Sequence, residues 1–235
     1  MKIAASSILL LFIFNFVYGQ KDIIDAKLKL YNIPGDYITD ALKDSEADYY
    51  FKFRSVTWKP SSQGMVELIE EGEFNPASPV GERWKLLKIN ERSPDKKEIK
   101  KFSKVQNTMK DNINAEIDNQ TYKIVDDNEK DLVISISYKK ETLPKRYEFL
   151  SKCSGLAYID KHRKRLTRIE YRNENPVKVW SYRATGLSFV QYFTFNEDEN
   201  DYLIDREEMD IEVDDLVTGK SILFDIDYSD YKKVK

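Results

Sequence analysis

Leu187-Ser188-Phe189-Val190-Gln191-Tyr192-Phe193-Thr194-Phe195 decides the fold. In an extended chain successive side chains point to opposite faces, so Leu187, Phe189, Phe193 and Phe195 share one face and Val190 and Tyr192 share the other. Apolar residues in both phases predict a central strand covered on both sides. The neighbouring sequence repeats the period of two. Leu132, Ile134, Ile136 and Tyr138 alternate with Val133, Ser135 and Ser137, and Thr167, Ile169 and Tyr171 alternate with Arg168, Glu170 and Arg172. Tyr147 to Lys152, Val177 to Tyr182, Leu203 to Val213 and Ser221 to Tyr228 are read as further strands. Turns are expected at Ala184-Thr185-Gly186, Asn196 to Asp201 and Asp214 to Lys220.

Upstream, Met65 to Phe74 and Arg83 to Ile89 read as strands around the turn-rich Asn75-Pro76-Ala77-Ser78-Pro79-Val80-Gly81. Tyr49 to Lys59 changes phase between Phe53 and Val56, which predicts a bulge or sharp bend near Ser55. Helical spacing marks Ile24, Leu28 and Tyr31 before Pro34-Gly35, and a second short helix with Ile38, Ala41 and Leu42 after an Asp36 cap. A third helix is predicted near 94–107. Ser93 would cap it, Pro94 would open it, and Ile99, Phe102 and Val105 would form its apolar stripe opposite Lys96, Lys97, Lys100, Lys101 and Lys104. The expected class is mainly β (α+β): a strongly curved antiparallel sheet or open barrel of about ten strands, with a few short helices over one face.

The chain of 235 residues opens with Lys2, an apolar run from Ile3 to Val17, and Val17-Tyr18-Gly19. A charge, a short apolar core and small or compatible residues before a cut are what signal peptidase needs, so residues 1–19 read as a signal peptide with Gln20 next, the alternative being an uncleaved anchor. Residues 20–235 are expected to form one domain, with a helical segment at 20–46 and the sheet from 49 onward. Export to the periplasm or beyond follows. With 38 basic and 41 acidic side chains the chain lacks the positive field that draws in nucleic acid. The one cysteine, Cys153, forms no intramolecular disulfide, so packing alone must stabilise an exported fold.

Catalytic chemistry finds few candidates. His162 is the single histidine and sits in Lys161-His162-Arg163-Lys164, a cationic turn with no carboxylate or serine in sequence reach to orient it. One histidine and one cysteine exclude a nitrogen and sulfur metal site, and no Gly-rich phosphate loop or nucleophile elbow is present. No cofactor and no metal site is expected. The acidic stretches 196–201 and 126–129 read as solvated tips, because they lack the glycine and ligand spacing of a calcium loop. The basic tip from Lys161 to Arg165 offers a docking surface for anionic headgroups or an acidic partner, or a plain hairpin turn.

Two segments carry a resemblance. Gly81-Glu82-Arg83-Trp84-Lys85-Leu86-Leu87 followed by Ser93-Pro94, and Phe149-Leu150-Ser151-Lys152-Cys153-Ser154-Gly155-Leu156-Ala157-Tyr158-Ile159-Asp160, look like a group of uncharacterised exported proteins of Gram-negative bacteria. More distantly, a leader, early helices and a curved meander resemble the periplasmic lipoprotein-carrier and lipoprotein-sorting fold. That resemblance implies an open barrel whose concave apolar face shelters acyl chains. The leading expectation is a non-enzymatic envelope protein holding an apolar or lipidic ligand, with Trp58, Trp180, Phe189, Val190, Tyr192 and Phe193 as ligand-binding residues. The alternatives are a structural or protein-interaction module of the envelope, partnered through its acidic hairpin and lysine-rich helix, and an enzyme with two facing carboxylates.

Overall fold

The computed structural model describes residues 21–33, 48–107, 115–118, 120–143, 147–180, 182–213 and 221–234. The apolar leader and the helix expected after Asp36 lie outside these residues. Residues 21–30 form helix α1, which buries Ile24 and Leu28, as their spacing requires. It closes with Asn32 in the left-handed region (φ 53°), where Ile33 N donates to Leu28 O and Asn32 N to Lys29 O. Asparagine tolerates that backbone, and Ile33 and Leu28 meet in the core beside the cap.

Eleven strands follow: β1 (Tyr49–Ser61), β2 (Gly64–Phe74), β3 (Trp84–Ile89), β4 (Lys123–Asp127), β5 (Asp131–Ile136), β6 (Cys153–Asp160), β7 (Arg165–Asn173), β8 (Val177–Val179), β9 (Tyr182–Asn196), β10 (Asp201–Val213) and β11 (Ser221–Lys233). They form one open, curved antiparallel sheet in the order β3, β2, β1, β11, β10, β9, β7, β6, β5, β4, with β8 pairing β9 beside β7. Helix α2 (Lys96–Asn107) packs by β3. The mainly β class with helices over one face is what the sequence predicts.

One face, here called inner, carries the core. A large cluster spans β4 to β11 under α1 and includes Ile134, Ala157, Ile169, Tyr171, Phe189, Ile211 and Ile222. A smaller one joins Phe53, Leu86 and Phe102 at β1, β3 and α2. The outer face is polar at its centre, where Arg206 pairs with Asp225 at 2.6 Å and Arg168 with Glu170 at 2.8 Å.

Several expectations need correction. The β1–β2 ladder runs without irregularity from Phe51 to Ser61, so there is no bulge at Ser55; the register shift lies between Tyr50 and Lys52, against β11. Val56 and Trp58 therefore face outward while Phe53 and Thr57 face inward. Tyr147 to Lys152 is not a strand but contains a 3-10 turn, Glu148–Lys152, that buries the adjacent Phe149 and Leu150 together. Ala184 to Gly186 is not a turn; β9 runs through it, absorbing the extra residue as a register shift opposite Glu212 and Val213. Helix α2 begins two residues late: Asp95 Oδ1 accepts from Lys97 N and Glu98 N, and Glu98 returns a carboxylate oxygen to Asp95 N. That reciprocal capping box outcompetes Ser93. Only Phe102 of its stripe is buried, because a spacing of three drifts round the helix and leaves Ile99 and Val105 exposed.

Candidate functional site

Cross-strand register builds the inner face as rows. Leu68, Thr57, Phe224, Met209, Phe189 and Tyr171 are successive opposite neighbours on β2, β1, β11, β10, β9 and β7. The right-hand members of this row lie in the large core, where Phe189 stacks on Tyr171 at 5.6 Å. The left-hand members, Leu68 and Phe224, are only half-buried. One step along the strands, toward β11's far end, lies a polar row of Glu70, Ser55, Ile226, Glu207 and Gln191. One step the other way are Val66 and Lys59.

Burial without a partner is costly for a carboxylate, so each acid in this face is informative. Glu207, 7% exposed, accepts from Gln191 Nε2 at 2.8 Å and from Tyr228 Oη at 2.9 Å. Burial pushes the Glu70 carboxyl up from its ordinary value, against the opposing pull of Lys59 and of Lys101 on α2.

Trp180 closes the strip. β8 and β9 pair with Val179 opposite Tyr182, so their connection begins at Trp180, whose φ is 52°. Tight hairpins put Asn or Gly at such a position; a bulky residue there costs about 1–3 kcal/mol. The indole meets the Phe224 ring edge to face at 5.3 Å, and Lys59 Nζ lies 6.0 Å from the centre of the same ring. Trp180 nevertheless remains 42% exposed.

The six residues expected to bind ligand do not form one site. Trp180 and Phe189 lie on the inner face, the latter as core beside the strip. Phe193, also inner, packs edge-on against Tyr202 at 6.5 Å in the large core. Trp58, Val190 and Tyr192 face outward. Trp58 donates its indole N–H to Glu67 at 3.0 Å, and Tyr192 its hydroxyl to Glu208 at 3.3 Å. Among the described residues β9 is thus one-sided, alternating buried and half-buried residues, because its outer neighbours are Glu170 and Glu208. Phe224, Leu68, Glu207 and Gln191 were missed: Glu207 sits in the buried phase of Leu203 to Val213, a signal masked by its charged neighbours Arg206 and Glu208.

The charged tips are engaged internally. Lys161 contacts Asp127, which also accepts from Lys27 Nζ at 2.7 Å and Tyr31 Oη at 2.9 Å. Arg165 lies 4.0 Å from the Phe195 ring and reaches Glu197 at 3.2 Å. His162 is exposed, its backbone N–H held by Asp160. Among the described residues no group of three His, Cys, Asp or Glu side chains is placed to hold a metal. Burial pushes the Cys153 thiol up to about 12, which leaves it unreactive.

No family model and no curated protein matches the chain. It is similar in structure to a LolA superfamily protein from Nitrosomonas europaea, at 10% identity and TM-score 0.39, over 84% of this chain and 90% of that one. A DUF1329 family protein from Desulfovibrio piger matches at 8% identity and TM-score 0.38, over 89% and 92%. A domain described as an outer membrane lipoprotein-sorting protein, from Vibrio parahaemolyticus, matches at 10% and 0.35, over 92% and 93%. At these identities and TM-scores neither a residue role nor a function carries over from them.

Proposed function

We propose that this chain is an exported, non-enzymatic protein of the cell envelope that holds an apolar or lipidic ligand on the inner face of its sheet. The ligand lies along Leu68, Thr57 and Phe224, beside the core residue Phe189, with Trp180 as its rim and Lys59 at the open side. The observation that carries this reading is Trp180: a large aromatic held in an unfavourable backbone conformation, packed on Phe224 yet substantially exposed. Strain of that kind persists where the surroundings or a bound group reward it. The signal peptide read at residues 1–19 supports export, and no helix among the described residues is long and apolar enough to cross a membrane.

Native mass spectrometry of the protein purified from envelope extracts should show a lipid-sized adduct. A fluorescent fatty acid should bind the parent and bind Trp180→Ala about tenfold more weakly, the loss expected when one aromatic contact is removed from an apolar site. A ligand-free spectrum together with no probe binding overturns the reading.

A further inference from the structure

The sheet end formed by the β1–β2 hairpin and the β8–β9 connection is apolar on both faces. On the outer face Trp58 stands opposite Leu223, and Met65 follows one step along β2 at 51% exposure. On the inner face Val66, 53% exposed, precedes Leu68, with Trp180 over Phe224. Elsewhere the outer face mixes paired charges with apolar residues, among them Val56, Val190 and Tyr192, that are buried or half-buried, whereas Met65 and Leu223 are exposed. A protein partner docking against a sheet covers one face; apolar side chains on both faces of a protruding hairpin are satisfied together by a medium that surrounds it.

We infer that this end enters the interface of a phospholipid bilayer. Tryptophan suits that depth because its ring is apolar while its N–H needs a partner, and Trp58 already has one in Glu67. Lys59 stands opposite Val66 on the inner face, and Lys178 and Arg183 stand opposite each other, exposed, on the strands flanking Trp180. Their long side chains reach back toward phosphate as the rings go in. Glu67, Asp210 and Glu212 are the described acids at this end: the first is held by the indole, and Asp210 stands opposite Leu223, on the side of the patch away from Trp58. The inference shares Trp180 and Lys59 with the proposed ligand strip, while Met65, Trp58 and Leu223 face the other way and let the two be tested separately.

The test uses the full chain and vesicles of phosphatidylcholine and phosphatidylglycerol brominated near the glycerol end of their acyl chains. Tryptophan variants that leave one indole at a time report its depth. Trp58 and Trp180 should be quenched, whereas Trp84, packed against Phe51, Phe53 and Phe74, should stay bright. Attachment through any other segment leaves Trp58 and Trp180 bright as well, and overturns the inference. Met65→Asp, an exposed change that spares the inner strip, should weaken vesicle partition by about tenfold while the fluorescent fatty acid still binds. Unchanged partition, or capture of a protein by this hairpin without quenching by vesicles, also overturns it.

Discussion

Gly72 sits where the ring of Phe53 crosses β2, and a Cβ added there would stand 2.5 Å from the ring carbons and from the Lys85 carbonyl oxygen. The ring is itself wedged between Trp84 at 5.6 Å and Phe102 at 6.0 Å, so it has little room to retreat. Gly72→Ala should therefore cost about 1–3 kcal/mol, read as a lowered melting temperature. A sharper contrast lies in β9. Phe189→Asp places an unpaired charge against Tyr171 and Phe149 in the core and should prevent folding, whereas Val190→Thr on the half-buried outer side should melt close to the parent. Equal damage from both, measured by thermal circular dichroism, restores the two-sided strand that the apolar phases of Leu187 to Phe195 predict. Val190 and Tyr192 misled because hydrophobicity reports what a side chain tolerates. What covers it is set by Glu170 and Glu208, on strands the local pattern does not place.

The ties that seat α1 on the sheet are longer-range. Lys27 and Tyr31 from the helix and Lys161 from the β6–β7 turn converge on Asp127 at the end of β4. Hydrogen bonds from Lys161 and then Lys27 hold its carboxyl at about 2, below the ordinary 3.8. A depressed carboxyl stabilises the fold while it is ionised. Its contribution is thus fully present above pH about 4 and is lost as pH falls from there through about 2. Asp127→Asn should remove that acid-sensitive part and quicken amide hydrogen exchange across residues 21–30 at neutral pH, leaving β5 and β6 protected. If exchange in the helix is unchanged, burial of Ile24 and Leu28 alone seats it. The helix was legible in the sequence because Ile24, Leu28 and Tyr31 recur at helical spacing before Pro34-Gly35. The clamp was not, since Asp127 and Lys161 each looked like part of a solvated charge run until the sheet brought them together.

Strand order gives the chain an unusual closure. β1 pairs with β11, whose residues Phe224, Ile226 and Tyr228 lie opposite Thr57, Ser55 and Phe53, and β11 in turn pairs with β10. Among the described residues the first three strands therefore pair with the rest of the sheet only through β11. Loop closure over most of the sequence precedes that gain, so the union should be a late and slow event in folding. The candidate strip inherits the same dependence, because Leu68 and Thr57 come from one side of the joint and Phe224 from its centre. That is why no local reading of the sequence could assemble it. Ending the chain after Lys220 removes the pairing partner of both β1 and β10. The Phe53, Leu86 and Phe102 cluster loses Ile226 and Tyr228, which pack against it. Residues 49–107 should then become readily cleaved by protease, while β5, β6 and β7, anchored in the large core, stay protected. The same truncation should abolish binding of an apolar probe even where the remaining core is folded. Full protection of 49–107 in the shortened chain instead makes β1, β2, β3 and α2 a self-sufficient unit, with β11 adding only an edge.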